Sequence, residues 1–271
     1  MYESFFGLKE RPFNVTADPN FLFFSKKHRE AFDHLIYGIK ERKGFLEITG
    51  EIGTGKTTLC RALLSQFDEK TKTAFILNSN LPEMQLLLAI VADLGLTVKQ
   101  KTKINLLFEL NKFLIGELKA NSNVVLIIAE AQNLKAAQLE QIRLLSNLET
   151  DKEKLIQIVL VGQPELREKL NSPELEQLRQ RIAVRYHMLP LEKTEVGDYI
   201  YHRLRVAGSD GTVVFEPDAI GEIFEYSSGV PRLINLISDR ALLLGFTMET
   251  KTITLEMIKR SVEEIEGYVK I

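Results

Sequence analysis

A glycine-rich segment at residues 50–57 constrains this chain more than any other feature. It reads Gly-Glu-Ile-Gly-Thr-Gly-Lys-Thr and matches the phosphate-binding loop pattern GxxxxGK(S/T) at every specified position. A short apolar segment at 44–49 precedes it, and an amphipathic segment that begins at Thr58 follows it. This strand–loop–helix order is the context that the motif requires, which argues against a chance match on a surface turn. The chain is therefore predicted to bind a nucleoside triphosphate.

Each residue type in this segment has a predicted role. The glycines let the backbone curl until several N–H groups point inward, at the positive end of the helix that follows. Lys56 is expected to reach the β- and γ-phosphates, and the Thr57 hydroxyl to bind Mg²⁺. The predicted nucleotide-binding residues are Gly50, Gly53, Thr54, Gly55, Lys56, Thr57 and Thr58.

Composition places the chain among ordinary water-soluble proteins. It has 271 residues, 45% of them hydrophobic, and a net charge of −2, which is enough for a large α/β domain and a smaller one. No apolar run approaches the roughly 18 residues that a membrane span needs. The N-terminus lacks the pattern of a signal peptide, and the single cysteine, Cys60, has no partner for an internal disulfide. A cytoplasmic location is expected.

Hydrophobic periodicity predicts an α/β fold with a parallel sheet between helices, followed by a small all-α domain. The strands are predicted at 44–49, 73–77, 123–128 and 155–161. The helices are predicted at 26–42, 83–94, 103–119 and 138–148, and beyond Pro190 at 194–206, 217–227, 231–246 and 254–268. The predicted domains are an N-terminal lead-in with its helix at 1–44, counted as part of the core, an α/β nucleotide-binding domain at 45–190 and a helical lid domain at 191–271.

The first 25 residues contain six phenylalanines among turn-forming residues, a composition typical of ordered, irregular structure. Ser25 is expected to cap the helix at 26–42, with Gly44 as its stop. Two interpretations of the aromatic residues remain. Either they pack against the body of the protein, or Phe23 and Phe24, beside Lys26, Lys27 and Arg29, form a stacking platform for nucleic acid. The slightly negative net charge favours packing.

The two residues that follow the apolar run at 123–128 occupy positions where P-loop ATPases usually have two carboxylates, and only one of the two is acidic. P-loop ATPases usually have, after such a strand, an aspartate that orders magnesium and, in hydrolytic members, a glutamate that polarises the attacking water. Glu130 stands at the position of the catalytic base, and Ala129 stands where the metal carboxylate is expected. A solvated strand-end carboxylate is the alternative for Glu130. Alanine has no oxygen ligand, so metal affinity and turnover are both expected to be reduced.

Several motifs resemble those of the ExeA/GspA-type AAA+ ATPases, which are linked to type II secretion, related pilus systems and exopolysaccharide or exosortase loci. The resemblance covers nearly the whole chain. The family has an aspartate at the position of Ala129, and either natural divergence or an introduced substitution would account for the difference. The motifs are Met1-Tyr2, Phe5-Phe6-Gly7-Leu8, Pro12-Phe13, Asp18-Pro19, Ser25-x-x-His28-x-Glu30-Ala31, Tyr37-Gly38-Ile39, Glu130-Ala131-Gln132-Asn133-Leu134, Leu144-Leu145-Ser146-Asn147-Leu148-Glu149-Thr150, Leu160-Val161-Gly162-Gln163-Pro164-Glu165-Leu166 and Gly229-Val230-Pro231-Arg232.

The resemblance implies an AAA+ P-loop NTPase fold, ATP and Mg²⁺ as ligands, and roles for three further residues. Gln163 resembles the first sensor, which contacts the γ-phosphate or the attacking water; a polar strand-end cap is the alternative. Arg181 resembles the arginine finger that a neighbouring subunit presents to the γ-phosphate, with Arg179 and Arg185 as rivals. Arg232 resembles the second sensor, which acts on the nucleotide of its own subunit, and a surface arginine at a helix start is the alternative.

Three functions are compatible with these features. The leading hypothesis, from the resemblance, is an ATPase that forms a homo-oligomeric ring and remodels a secretion, pilus or polysaccharide-export assembly, in the cytoplasm or at the periphery of the inner membrane. The second is a DNA-dependent AAA+ regulator of the transposition type. The third is an ATP-binding switch that barely hydrolyses ATP, and Ala129 is the residue that supports it.

Overall fold

The computed structural model describes residues 2–150 and 153–267, which divide into two compact units. One, here called the helical unit, contains residues up to His28, Gly53–Leu59 and the described residues from Leu189 onward. The other, here called the sheet unit, contains Arg29–Ile52 and the described residues of Cys60–Met188.

The secondary structure alternates as the sequence predicts. Among the described residues, the strands are β1 (Phe45–Gly50), β2 (Thr71–Ile76), β3 (Asn123–Ile128), β4 (Gln157–Gly162), β5 (Ile182–Met188), β6 (Val214–Phe215) and β7 (Thr252–Ile253). The helices are α1 (Lys26–Lys40), α2 (Lys56–Ser65), α3 (Glu83–Asp93), α4 (Lys103–Lys119), α5 (Ala136–Leu145), α6 (Pro164–Leu170), α7 (Glu176–Arg181), α8 (Lys193–Val206), α9 (Pro217–Ser227), α10 (Pro231–Thr247) and α11 (Leu255–Glu266). Short 3-10 turns lie at Pro19–Phe21, Ala131–Asn133 and Pro173–Leu175.

The sheet unit is built on five parallel strands in the order β2-β3-β4-β1-β5. All six residues of β1 and of β4 are buried, as expected for parallel strands that are covered on both faces. Helix α1 approaches this sheet closely, because a Cβ on Gly38 would lie 2.4 Å from the Leu46 side chain. The predicted fold class, a parallel sheet between helices with a helical C-terminal region, is confirmed.

Parallel pairing brings the carboxyl ends of the strands to one edge of the sheet. Gly50, Ile128 and Gly162 are the last residues of β1, β3 and β4. The residues that follow them therefore emerge at the same edge, which is where ligands bind in open α/β sheets. Glu130 and Gln163 are among these residues.

The sequence analysis did not predict strand β5. This strand pairs in parallel with β1 at the edge of the sheet, and Ala183 and Arg185 in it are exposed. An edge strand of this kind has no continuous apolar run and does not show the pattern by which the buried strands were recognised.

The helical unit has its own core, to which the N-terminal residues contribute. Tyr2, Phe6, Phe13 and Phe21 are buried in it together with apolar residues of α8 to α11. This arrangement differs from the predicted division at residue 44, which assigned the whole lead-in to the nucleotide-binding core. Strands β6 and β7 form a short parallel pair within this otherwise helical unit.

Polar contacts also attach the lead-in to this core. The Arg203 guanidinium donates hydrogen bonds to the backbone carbonyls of Pro12 and Asn14. The Phe23 ring meets Tyr199 edge-on with 5.9 Å between ring centroids. These contacts favour the packing interpretation of the aromatic residues over a stacking platform for nucleic acid. Among the residues that the structure describes, no helix is long and apolar enough to cross a membrane.

Gly229 and Gly211 offer a matched test of packing in the helical unit. Both have positive φ angles, +75° and +89°. A Cβ at Gly229 would lie 2.0 Å from the Leu191 carbonyl oxygen, whereas a Cβ at Gly211 would meet nothing within 4 Å. Gly211→Ala is expected to cost about 1–2 kcal/mol, the penalty for a left-handed conformation. Gly229→Ala adds a backbone clash and is expected to cost about 3–5 kcal/mol in all. Urea unfolding followed by circular dichroism measures both, and equal losses would contradict the clash.

Candidate nucleotide-binding site

The glycine-rich loop joins the end of β1 to the start of α2, and its backbone has the predicted curl. Gly53 and Gly55 have φ angles of +83° and +93°, a region that residues with a side chain rarely adopt. Between them, Thr54 is fully buried. Lys56 is the first residue of α2 and is 7% exposed. A buried lysine at the N-terminus of a helix, next to two glycines in this conformation, is an arrangement suited to a phosphate group.

Arg232 lies directly against this loop within the helical unit. Its backbone N–H donates to the Gly53 carbonyl at 3.2 Å. A Cβ on Gly53 would lie 2.7 Å from the Arg232 Cβ and 3.1 Å from a methyl group of Val230. Pro231 begins helix α10 as the sequence suggested. The structure thus brings together two residues, Gly53 and Arg232, that the sequence assigned to one site from opposite halves of the chain.

Glu130 is held at the sheet edge by neutral hydrogen-bond donors. Its Oε2 accepts from Gln132 Nε2 at 2.7 Å and from Gln163 Nε2 at 3.3 Å. Its carbonyl accepts from the Ser79 hydroxyl at 2.7 Å. The backbone of Glu130 is left-handed, with φ +51°, and such conformations in non-glycine residues concentrate at functional sites. Glu130 and Gln163, predicted separately, are therefore in direct contact.

Gln132 and Ser79 are two residues of this cluster for which the sequence analysis proposed no role. Besides its bond to Glu130, the Gln132 side chain accepts from the Gln163 backbone N–H at 3.1 Å. Its own carbonyl accepts from Lys169, which also donates to the Leu134 carbonyl at 2.8 Å. Gln132 therefore links the segments that follow β3 and β4. It lies in the motif at 130–134, but nothing in the sequence shows which side chain it contacts.

Ala129 is 3% exposed and continues the sheet pairing through a 2.8 Å hydrogen bond from its N–H to the Ile76 carbonyl. Its methyl group supplies no ligand for a cation. Of the two protein groups expected to order Mg²⁺, the Thr57 hydroxyl is present and the carboxylate is absent. The donor set of the loop fits a triphosphate, and it fits the metal only in part.

The three candidate finger arginines differ in their contacts. Arg181 donates to Ser146 Oγ at 2.9 Å and to Asn147 Oδ1. Arg185 donates to the Arg179 carbonyl at 2.6 Å and lies 3.5 Å from the Glu47 carboxylate. Within residues 2–150 and 153–267, the Arg179 side chain has no hydrogen bond or ion pair.

Sequence comparison finds similarity to AAA domains and to a protein of the general secretion pathway. Residues 39–170 match the AAA_22 family model, which describes an AAA domain. The chain is 45% identical over 268 residues to general secretion pathway protein A of Aeromonas hydrophila, an alignment that covers 98% of this chain and 49% of that protein. The chain thus spans about half the length of this relative.

Solved structures of low sequence identity share the fold. The ORC2 protein of Aeropyrum pernix superposes with a TM-score of 0.70 at 19% identity, over 94% of this chain and 71% of that chain. The RuvB Holliday junction branch migration motor of Thermotoga maritima superposes with a TM-score of 0.60 at 17% identity, over 89% and 69%. At such identities the comparison shows a common fold only.

Glu47 allows a pH test of the strand that carries the loop. This β1 carboxyl is 2% exposed, and burial raises its pKa above the usual 4.5, although Arg185 and Arg167 act in the opposite direction. A raised pKa in the folded state means that this group's contribution to stability is complete below pH 4.5 and is lost as the pH rises. The free energy of unfolding of Glu47→Gln, relative to that of the wild type, is therefore expected to increase as the pH rises from 4.5 to 7.5. Urea midpoints measured across this range test the sign, and a constant difference would refute it.

Proposed function

Because the chain is an AAA-type P-loop protein related to general secretion pathway protein A, we propose that it is an ATPase whose nucleotide cycle drives oligomerisation and remodelling of an envelope secretion, pilus or polysaccharide-export assembly. The loop at 50–57, with its positive-φ glycines and a buried Lys56 at the start of α2, is the observation that most supports the proposal. The relative's name suggests the secretion partner, and the resemblance of the sequence motifs suggests the pilus and polysaccharide-export alternatives.

In this proposal, residues 50–58 bind the phosphates of ATP. The loop N–H groups donate to phosphate oxygens, and Lys56 neutralises charge on the β- and γ-phosphates. The Thr57 hydroxyl is a ligand of Mg²⁺, which when bound offsets negative charge on the phosphates. Arg232, whose backbone already contacts Gly53, acts as the second sensor for the nucleotide bound to the same chain.

Glu130 is the proposed general base. Both amide donors, from Gln132 and Gln163, bond to its Oε2. Within residues 2–150 and 153–267 no group donates to Oε1, which can therefore accept a proton from the attacking water. Gln163, whose side chain donates to Glu130, acts as the first sensor, which contacts the γ-phosphate or the attacking water. This assignment gives Gln163 a role that a simple strand-end cap does not have.

Ala129 favours a second candidate function, a nucleotide-dependent switch with very slow hydrolysis. Without a carboxylate at this position, Mg²⁺ has fewer oxygen ligands from the protein, whereas the loop that binds the triphosphate is intact. Binding and turnover are therefore separable in this chain. The switch and the ATPase differ in how the chain responds when the carboxylate is restored.

Restoring the carboxylate distinguishes these two functions. The wild type is expected to bind a fluorescent ATP analogue and to hydrolyse ATP slowly. Ala129→Asp is expected to raise kcat by about 10-fold or more with little change in affinity, because the added ligand acts on metal-dependent charge stabilisation. Lys56→Ala serves as the control and should lose binding. No gain in Ala129→Asp, from a low base rate, would establish the switch and refute the ATPase.

A mixing experiment tests the arginine finger in trans. Arg181→Ala and Lys56→Ala are each expected to lose most ATPase activity, for different reasons. If Arg181 acts on the nucleotide of a neighbouring chain, an equal mixture should regain part of the activity, because an intact Lys56 site can then face an intact Arg181. Arg181 must first leave Ser146 and Asn147. Arg179→Ala mixed in the same way is the matched comparison, and recovery with Arg179→Ala alone would reassign the finger.

A further inference from the structure

The motif Ser25-x-x-His28 has no part in the nucleotide chemistry described so far, yet it lies against the phosphate-binding loop. Ser25 and His28 are each 3% exposed. His28 Nε2 lies 2.9 Å from the carbonyl oxygen of Thr54, and His28 Nδ1 lies 2.7 Å from Ser25 Oγ. All three residues belong to the helical unit.

These partners determine which imidazole nitrogen carries the proton. A carbonyl oxygen only accepts hydrogen bonds, so Nε2 must be protonated to bond to Thr54. In the neutral ring Nδ1 is then an acceptor, and the Ser25 hydroxyl donates to it. The Ser25 oxygen in turn accepts from the His28 backbone N–H at 3.2 Å, as expected for an N-cap residue of α1. Each polar side-chain atom of the pair thus has a partner of the correct type.

The electrostatic surroundings also favour the neutral ring. Burial lowers the pKa of His28, while the Thr54 carbonyl and the Glu195 carboxylate act in the opposite direction. Glu195 is itself bonded through its carboxylate to the backbone N–H of Lys26, at 3.0 Å. The imidazole thus supplies a single N–H donor to the loop near neutral pH.

A hydrogen bond to the Thr54 carbonyl orients a whole peptide unit. In a trans peptide the carbonyl of one residue and the N–H of the next point in opposite directions. When the Thr54 carbonyl points to His28, the Gly55 N–H therefore points away from His28. Gly55, with φ +93°, lacks the Cβ that would restrict rotation of this peptide, so the hydrogen bond supplies a restraint that the local sequence does not.

The preceding peptide unit is restrained in the same way. The Gly53 carbonyl accepts from the Arg232 backbone N–H, which directs the Thr54 N–H to the opposite side. Two consecutive peptide units of the loop are thus held through their carbonyls, one by His28 and one by Arg232. Preorganised N–H donors bind an anion more tightly than donors that must be ordered on binding.

We propose that His28 is a positioning residue of the phosphate-binding loop, which holds the Thr54–Gly55 peptide so that the Gly55 N–H is directed at the nucleotide phosphates. This role rests on the proposed function, because it assumes that the loop binds ATP. His28 itself does not touch the nucleotide.

Two amide substitutions separate positioning from folding. In His28→Gln, the side-chain amide can place an N–H near the position of Nε2 and still reach Thr54. In His28→Asn, the shorter amide lies near Nδ1 and faces Ser25 only. His28→Asn is expected to bind a fluorescent ATP analogue about 10-fold more weakly than the wild type, from the lost hydrogen bond, and His28→Gln within about 3-fold. Without nucleotide, both variants should be folded and should unfold in a cooperative thermal transition.

The results distinguish failure of the positioning role of His28 from failure of the proposed ATPase function. A folded His28→Asn that binds with wild-type affinity, or a His28→Gln as weak as His28→Asn, would overturn the positioning role. A wild type that binds no ATP, with a Lys56→Ala control that behaves identically, would refute the proposed function instead.

A measurement on the wild type covers the case in which His28→Asn does not fold. In ¹⁵N-histidine-labelled protein at pH 7, long-range ¹H–¹⁵N spectra report the tautomer of each imidazole ring. The signal that is present in the wild type and missing in His28→Gln is assigned to His28. The proposal requires His28 to be neutral with its proton on Nε2. A proton on Nδ1, or a charged ring, would overturn it.

Discussion

The structure depends on the position of β1 inside a parallel sheet. This strand is paired on both sides, with β4 and β5, and all six of its residues are buried. A strand held in this way has little freedom to shift its register, since any slip would break two hydrogen-bond ladders at once. Its last residue, Gly50, therefore has a defined position within the sheet unit. The same parallel order places the ends of β3 and β4 at that edge, together with Glu130 and Gln163.

Local patterns in the sequence were sufficient for the buried part of this architecture. The apolar run at 123–128 coincides with β3, and the run at 155–161 lies within two residues of β4 at its start and one at its end. Strand β5 was missed because it is the outermost strand next to β1 and includes exposed and charged residues. The packing of the N-terminal phenylalanines was predicted, but their partners were not. Contacts such as Phe13 with Phe215 join residues about 200 positions apart, and no local pattern encodes them.

In the candidate site, too, local sequence patterns predicted some features, whereas contacts between residues distant in the sequence were not predicted. The loop at 50–57 was found from its own spacing, because its chemistry requires consecutive residues. Gln132 and His28 were not assigned roles, because their importance comes from partners at Gln163 and Thr54 that only the fold brings near. Ala129 is the opposite case. Its consequence, a missing oxygen ligand, follows from the residue type alone, and the structure adds that its backbone still continues the sheet pairing.

The donors that hold these groups share one property, which is that they are uncharged. The Gly53 carbonyl is held by a backbone N–H, the Thr54 carbonyl by a neutral imidazole, and the Glu130 carboxylate by two amides. An ammonium or guanidinium group could make the same hydrogen bonds. A cation there would also attract the phosphate oxygens or pair strongly with Glu130, and so would compete with the contacts that nucleotide chemistry requires. Neutral donors orient the loop and the base without this competition. Lys56, at the start of α2, is then the positively charged group of the loop itself.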